Sequence, residues 1–472
     1  MKLIKTMKLI KAALKREDEY ELSYLYGVKL NSFNNIKESK SKYPGLLLQS
    51  GKFFRSLLKK TRPFKKKLSE NIDVLIFIGS KNQFNSLHPT MGELDKTNVN
   101  YVSIAPKAIC KSDFDCTLNL FEAFVSFFTF ICYAPKLYFR LKKQKKLLEI
   151  KYFFSVYCET YIYLPFFISI ISTLSDEQKL KLVIVSNDHN NPNRCLRLVC
   201  EMLGIKTLYM QHASVSNLFP PLLFDYALLD GEMAYETYKD CLNNLPHASN
   251  YPVNIFLSGQ KKSVNRQEIK REKEGMFDIG IAVNTLDDFE FLKKIVEEIE
   301  QSNFTILIRT HPGQKKEFLN KLTSFNTKHN IEWCNPHQDS LSCFFTSINC
   351  LIAANSSIHL EAALAGVPTL YYEFSNNVEL PDYYGYIKNG VSFKLNENDL
   401  IHSIKEGIEY CNSPFRNKAL KRYSETYDTK WESKEGTLSA LLIKKLLCNE
   451  SIDNLFYHHS YDDSFMVYKI KD

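Results

Sequence analysis

Short apolar runs alternate with amphipathic stretches along most of this chain, and the alternation falls into two blocks. In the first block, Ile72–Gly79 reads as a buried strand, followed by strands over Val99–Ile104, Leu180–Ser186, Ile205–Met210 and Phe224–Leu229. Helical spacing takes over at Asn193–Leu203 and again after Asp230-Gly231-Glu232. The charged run Gly259–Gly275 has no apolar period. Beyond it, strands over Phe277–Val283, Phe304–Arg309, Ile331–Cys334, Cys350–Ala354 and Pro368–Tyr372 alternate with helices over Leu286–Glu300, Lys315–Phe325, Asp339–Thr346 and Ile358–Ala365. Uniformly apolar strands separated by helices predict parallel sheets covered on both faces, joined by right-handed crossovers. The expected class is α/β, two Rossmann-like domains facing a cleft, with an extra N-terminal helical segment.

The expected organisation is a basic segment over 1–70, a first Rossmann-like, acceptor-binding domain over 71–260, a linker over 261–276, a second Rossmann-like, nucleotide-donor domain over 277–410, and helices and a tail over 411–472. Two apolar stretches, Thr117–Pro135 and Tyr152–Leu174, raise the question of a membrane span. Glu122 interrupts the first, and Glu159 and Pro165 the second, so neither supplies the roughly 20 clean apolar residues a span requires. Helices packed on a sheet, with one face dipping into a bilayer surface, are expected instead.

Charge sharpens that picture. The chain has 61 Lys and Arg against 53 Asp and Glu, and the excess concentrates in Lys52–Lys67 and Lys136–Lys151, where bases interleave with Phe, Leu and Tyr. Such a surface suits anionic lipid or polyanionic glycan, and equally a solvated basic face. No nucleic-acid motif accompanies it, so nucleic acid is not an expected partner. Twelve cysteines without a CxxC pair and without a secretory signal point to free thiols in a reducing cytoplasm. The turn after the first strand, Gly79-Ser80-Lys81, lacks the later glycines of a dinucleotide fingerprint, so no nicotinamide cofactor is expected.

Candidate chemistry collects where strands end. Open α/β sheets bind ligands outside the carboxyl ends of their strands. Asp188 and His189 follow one strand and Gln211-His212 the next, so a βαβ unit sets them side by side. Asp230 ends the following strand. In the second block, Arg309-Thr310-His311-Pro312 ends a strand that Pro312 cannot continue, and Asn355-Ser356-Ser357 opens a helix. Asn and Ser there serve as helix caps, and the same turn suits a phosphate. Arg309 and His311 add one fixed and one titratable cation, and Glu361 lies one helical turn on, an acceptor for ribose hydroxyls. Each has a plainer reading, as a capping Asp or a hydrogen-bonded structural His. Asp287-Asp288 begins a helix, where acids favour the dipole, so no metal site is expected.

His-Pro after a strand, then Ser-Ser about 45 residues later before a helix, resembles the nucleotide-binding half of the GT-B glycosyltransferases. It is particularly similar to bacterial sialyltransferases and polysialyltransferases and to the CDP-glycerol glycerophosphotransferases of teichoic acid synthesis. In those families these elements hold the phosphate of a CMP or CDP leaving group, a role the resemblance implies for His311, Ser356 and Ser357. Leu229-Asp230-Gly231 matches the second acid and the Gly of the sialyltransferase acidic pair, whereas Gln211-His212-Ala213 resembles the teichoic-type His-Gly turn except at Ala213. The resemblance covers about residues 180–375.

It implies a metal-independent glycosyltransferase of bacterial surface polysaccharide synthesis, capsule or lipopolysaccharide, with no cofactor beyond its donor, a CMP-activated nonulosonate such as sialic acid. The acceptor would be a glycan or lipid-linked glycan at the inner face of the cytoplasmic membrane, reached through peripheral contact with anionic lipid. His212 or Asp230 is the expected base, Asp188 and His189 bind the acceptor or orient the base, and Arg309, His311, Pro312, Ser356, Ser357 and Glu361 hold the donor. Alternatives are a CDP-alditol phosphotransferase, a UDP-sugar transferase, or a non-catalytic member of an assembly complex. A related scaffold serves nucleotide-sugar 2-epimerases, where the basic, aromatic N-terminal segment has no obvious place.

Overall fold

The computed structural model describes residues 2–16, 46–62, 72–143, 147–178, 180–244, 252–261, 276–325, 331–375 and 381–472. The first domain is built on β1 (Val74–Phe77), β2 (Tyr101–Ile104), β3 (Leu182–Val185), β4 (Lys206–Met210), β5 (Tyr226–Leu229) and β6 (Val253–Leu257). The second is built on β7 (Phe277–Val283), β8 (Ile306–Thr310), β9 (Ile331–Cys334), β10 (Ile348–Ala353), β11 (Thr369–Tyr371) and β12 (Phe393–Lys394). β13 (Phe456–Tyr461) and β14 (Phe465–Ile470) close the chain. Strands such as VLIF and LVIV are buried at every position because both faces of a parallel sheet are covered.

The six-stranded sheet has the order β12-β11-β10-β7-β8-β9 and is parallel throughout. Its strand order reverses beside β7, between β8 on one flank and β10 on the other. The eight-stranded sheet has the order β13-β14-β6-β5-β4-β3-β1-β2 and reverses between β1 and β3. Crevices at such reversals are where doubly wound sheets bind ligands.

The chain's last sixty residues return to the first domain. The helix Pro414–Tyr423 delivers Arg422 to Glu236, whose two carboxylate oxygens accept from one guanidinium nitrogen at 2.9 and 2.7 Å. The Glu425 N–H then donates to the Asp230 carbonyl at 2.8 Å, and Ser424 Oγ accepts from the Gln260 N–H at 3.1 Å. The helix Glu435–Cys448 packs on the helix Lys81–Leu94, with Gly436 against Pro89. β14 pairs in parallel with β6. The segment expected as helices and a tail therefore also supplies two strands to the first sheet. FYHHSY and FMVYKI pair with each other as an antiparallel hairpin, but the hairpin joins the sheet only through β14 on β6, about 200 residues earlier, which local pattern does not encode. β6, VNIFL, is a further strand beyond those expected, its apolar run broken by Asn254.

Two further expectations change. Lys261, placed at the start of the linker, is buried, its ammonium donating to Ser258 Oγ at 3.0 Å and the Gly259 carbonyl at 3.2 Å. Residues 262–275 of the linker, and much of the basic segment 1–70, lie outside the described residues. The apolar stretches form the helices Leu120–Lys143 and Leu147–Gln178. Glu122 does not interrupt the first; it caps it. Its carboxylate accepts from the Asn119 backbone at 2.9 Å while Asn119 Oδ1 accepts from the Glu122 N–H at 2.8 Å, a reciprocal capping box. Leu120–Phe139 is consequently long and apolar enough to cross a membrane, with 39% of it buried against the protein.

Candidate functional site

At the carboxyl edge of the second sheet, one residue ties three strand ends together. Asn284, following β7, donates from Nδ2 to the Asn355 carbonyl at 3.2 Å, and its own carbonyl accepts from Gln314 Nε2 at 2.8 Å. Gln314 belongs to the turn after β8 and Asn355 to the turn after β10, so His311 and Ser356-Ser357 are drawn to the two flanks of β7. Neighbouring strands lie about 4.8 Å apart, which sets the two turns roughly 10 Å from one another. Asn284 and Gln314 carry no motif of their own in the sequence, whereas Asn355 belongs to the turn expected there. The strand-end rule that found His311 also applies to Asn284.

His311 is exposed at its turn, and its Nδ1 accepts from the Gly313 N–H at 2.9 Å. An accepting Nδ1 makes Nε2 the protonated nitrogen, so the ring presents a donor outward. Pro312 sits beside it, exposed, where the chain leaves the sheet. Ser356 Oγ accepts from the Ile358 N–H at 3.4 Å, and Ser357 Oγ donates to Glu361 at 3.5 Å. The helix they open, Ile358–Leu364, has only seven residues, so the two hydroxyls and the His311 donor matter more than a helix dipole. Asn355 Oδ1 accepts from the Tyr383 N–H at 2.8 Å, fixing the turn from the other side.

Arg309 is a correction. It is 8% exposed, with one guanidinium nitrogen on Cys334 Sγ at 2.8 Å and another on the Asp339 carbonyl at 3.0 Å, stacked over Phe344. It lies within β8, its side chain packed against the sheet, short of the edge where His311 stands beyond the strand's end. It anchors β9 and the loop after it. The Asp287-Asp288 pair divides its work: Asp288 caps the helix Phe289–Glu300, accepting from Glu290 at 3.1 Å, while Asp287 accepts from the Asn284 N–H at 2.7 Å. Burial raises the Asp287 carboxyl to about 7, against the opposing Asn284 bond and with help from Glu373. Among the described residues no group of three His, Cys, Asp or Glu side chains is placed to hold a metal ion.

His359 supports the Ser356-Ser357 turn from below. Its Nε2 lies 3.1 and 3.0 Å from the Ala353 and Ala354 carbonyls and its Nδ1 3.0 Å from Ser392 Oγ. Burial lowers its pKa to about 4, although the two carbonyl bonds pull upward. A folded-state value below the unfolded one means protonation favours unfolding. The stability His359 contributes should be complete above pH 6.5 and lost as pH falls toward 4, about 3 kcal/mol in all. Asp287, raised, acts with the opposite sign between about 4 and 7. The discriminating measurement is therefore the unfolding free energy of wild type minus that of His359→Gln across this range. The difference should rise with pH to 6.5 and then flatten; a pH-independent difference would refute the neutral buried ring.

The facing edge belongs to the first domain. β3 and β4 pair in register, Val185 opposite Tyr209, so Asp188-His189 and Gln211-His212 do end side by side. Asp188 is buried, accepting from Tyr238 at 2.7 Å and lying 2.9 Å from His189 Nδ1; Asn187 Nδ2 lies 3.3 Å from the other ring nitrogen. Burial and the Asp188 charge drive the Tyr238 phenol well above its ordinary range, so it stays a donor to Asp188. His212 is half-buried at the tip of β4, with its carbonyl accepting from Ser86 at 3.4 Å. Gln211 Oε1 accepts from the Asp230 N–H at 2.9 Å, locking the ends of β4 and β5.

Asp230 stands at the crossover and not at an open edge. Its carbonyl accepts from both Gly259 and Glu425, and its side chain borders a void of about 30 Å³ walled by Gln211, Ser214, Met233, Leu360, Tyr384 and Tyr423. That is room for a water molecule or two, not a sugar. Two residues beyond His212, Ser214 Oγ lies 2.6 Å from Tyr386 Oη of the second domain, so the two strand edges meet across the cleft.

Two parallel-sheet α/β domains with their carboxyl edges opposed define a GT-B-like fold. In particular, the chain is similar to the solved structure of a putative UDP-N-acetylglucosamine 2-epimerase from Listeria monocytogenes, at 13% identity and a TM-score of 0.50, over 84% of this chain and 100% of that one. It is also similar to UDP-GlcNAc 2-epimerase from Neisseria meningitidis bound to UDP-GlcNAc, at 13% identity, TM-score 0.49 and 80% and 100% coverage. The glycotransferase of kitacinnamycin aligns at 8% identity, TM-score 0.48, over 80% of this chain and 100% of its own. No family model and no curated protein matches the sequence.

Proposed function

We propose that the chain is a nucleotide-sugar-dependent glycosyltransferase. The observation that supports it best is the Asn284 tie, which holds the His311 and Ser356-Ser357 turns around β7 at the strand-order reversal, facing the first domain's edge. The outward Nε2 donor of His311 and the hydroxyls of Ser356 and Ser357 bind the leaving phosphate, Glu361 takes the ribose, and Pro312 shapes the turn. Donors fixed before reaction stabilise charge as it develops on the departing nucleotide. From the first domain, His212 accepts the acceptor's proton, being the half-buried residue at an open strand tip where Asp230 is closed in. Asp188 and His189 form the adjoining wall and bind the acceptor, a glycan or lipid-linked glycan of a bacterial surface polysaccharide.

A CMP-activated nonulosonate is the first donor to test, on the strength of the short His-Pro and Ser-Ser resemblance; a UDP-sugar is the second, that being the substrate class in the name of the Listeria monocytogenes structure. Thermal-shift measurements with CMP, CDP, UDP and GDP decide between them, and stabilisation by UDP alone would end the CMP assignment. His311→Ala should weaken binding of the stabilising nucleotide about tenfold or more, as loss of a donor to a charged phosphate does. Equal binding by this variant would remove His311 from the donor site. Interconversion of a nucleotide sugar without any acceptor would replace transfer by epimerisation on the same scaffold.

A further inference from the structure

The helix Leu120–Lys143 carries an unpartnered face. Leu120, Phe124, Phe128, Ile131 and Phe139 are 47–66% exposed and form an apolar stripe, bordered by Phe127, which is 45% exposed and meets Phe54. Large contiguous apolar patches on a protein surface mark interaction sites. The opposite face of the helix is committed to the protein: Val125, Phe130, Ala134 and Leu137 enter the core, and Ser126 and Thr129 are buried, bonded to carbonyls of their own helix. Phe53 stacks on Phe130 at 4.2 Å and Phe54 meets Phe127 at 5.7 Å, which seats the helix Leu46–Lys60 alongside and leaves its Leu58 exposed.

The charges around this stripe select its partner. The helices Lys2–Lys15, Leu46–Lys60 and Leu120–Lys143 hold five, four and four Lys or Arg, and the one acid among them, Glu122, is 1% exposed. Lys52, Arg55, Lys59 and Lys136 are exposed. Between the first and third of these helices lies a groove of about 290 Å³ whose walls include Lys11, Lys15, Lys136 and Tyr133. Three ammonium groups over an apolar floor suit the phosphate and acyl root of an anionic lipid.

The geometry points to a bilayer-docking face: the stripe beds into the interfacial layer of an anionic membrane, with the surrounding lysines on its headgroups. A monotopic seat fits better than a span because the inner face of the helix is bound to the domain core. The assignment is independent of the sugar-transfer reading.

Co-sedimentation of the full chain with vesicles of phosphatidylcholine alone and of phosphatidylcholine with phosphatidylglycerol tests it. Binding is expected only to the anionic vesicles, and should be released by high salt, since surface charge is screened. Phe124→Ser/Phe128→Ser should reduce that binding about tenfold or more. Lys52→Glu/Arg55→Glu/Lys59→Glu, at exposed positions that leave the core untouched, should reduce it comparably. No binding to anionic vesicles overturns the proposal. So do retention after alkaline carbonate extraction, which indicates a span, and a dimer in sedimentation velocity that the Phe pair dissolves while lipid binding persists, which makes the face a self-association surface.

Discussion

His212→Ala is expected to abolish sugar transfer while leaving nucleotide binding unchanged. The reasoning rests on where the proton must go. An acceptor hydroxyl attacks as the bond to the nucleotide breaks, and a positioned base contributes roughly 10²–10⁴ in rate. His212 stands at the tip of β4, across the cleft from His311, and the bond from Ser214 to Tyr386 two residues on holds that tip against the second domain. The His311 and Ser356-Ser357 turns do not involve His212, so the nucleotide Kd should stay at the wild-type value while kcat falls. Measuring both separates the roles: calorimetric titration of the nucleotide, and turnover with saturating donor. A wild-type kcat in the variant would move the base elsewhere, and a loss of nucleotide binding would make His212 part of the donor site.

Gly231→Ser is expected to destabilise the protein by more than about 3 kcal/mol, against what helix rules say. Gly231 is the N-cap of the helix Glu232–Cys241, and serine at an N-cap is ordinarily preferred to glycine. Its backbone is extended, at φ −169°, so any residue could adopt it. What forbids a side chain is the crossover: a Cβ there would stand 2.4 Å from the Arg422 carbonyl oxygen and 2.8 Å from the Tyr423 carbonyl carbon. Those are backbone atoms and cannot swing aside. To make room, the Pro414–Tyr423 helix must lift from the first domain, breaking the Arg422 bonds to Glu236 and the Glu425 bond to Asp230. Urea unfolding followed by fluorescence would show it as a lower midpoint; an unchanged or higher midpoint would mean the crossover gives way easily.

These predictions show why the two candidate bases separate only in three dimensions. Asp230 and His212 both follow apolar strands and both precede turns, so strand-end logic treats them alike. Asp230 is closed in by Leu360 and Tyr384 of the second domain and by Tyr423 and Glu425 of the returning segment, residues 130 or more positions away whose approach no local pattern announces. Arg309 is a second instance. Its place at a strand end suggested a phosphate cation, but Arg309 is still inside β8 and is held by Cys334 and the Asp339 carbonyl, while His311 lies beyond the strand, where Pro312 takes the chain off the sheet.

What the sequence by itself determined was the set of buried strands, their alternation with helices, and the polar residues at their ends. Strand period, helix period and Pro or Gly punctuation are local properties, and they led to two parallel-sheet domains and to the His311 and Ser356-Ser357 turns. Only the tertiary structure decided which strand ends are neighbours, through the strand-order reversal at β7 and the Asn284 tie; that the last sixty residues complete the first sheet; and which face of the Leu120–Lys143 helix is left uncovered. Those outcomes depend on contacts between residues far apart in the chain, whose free energy is realised only when both partners are already folded.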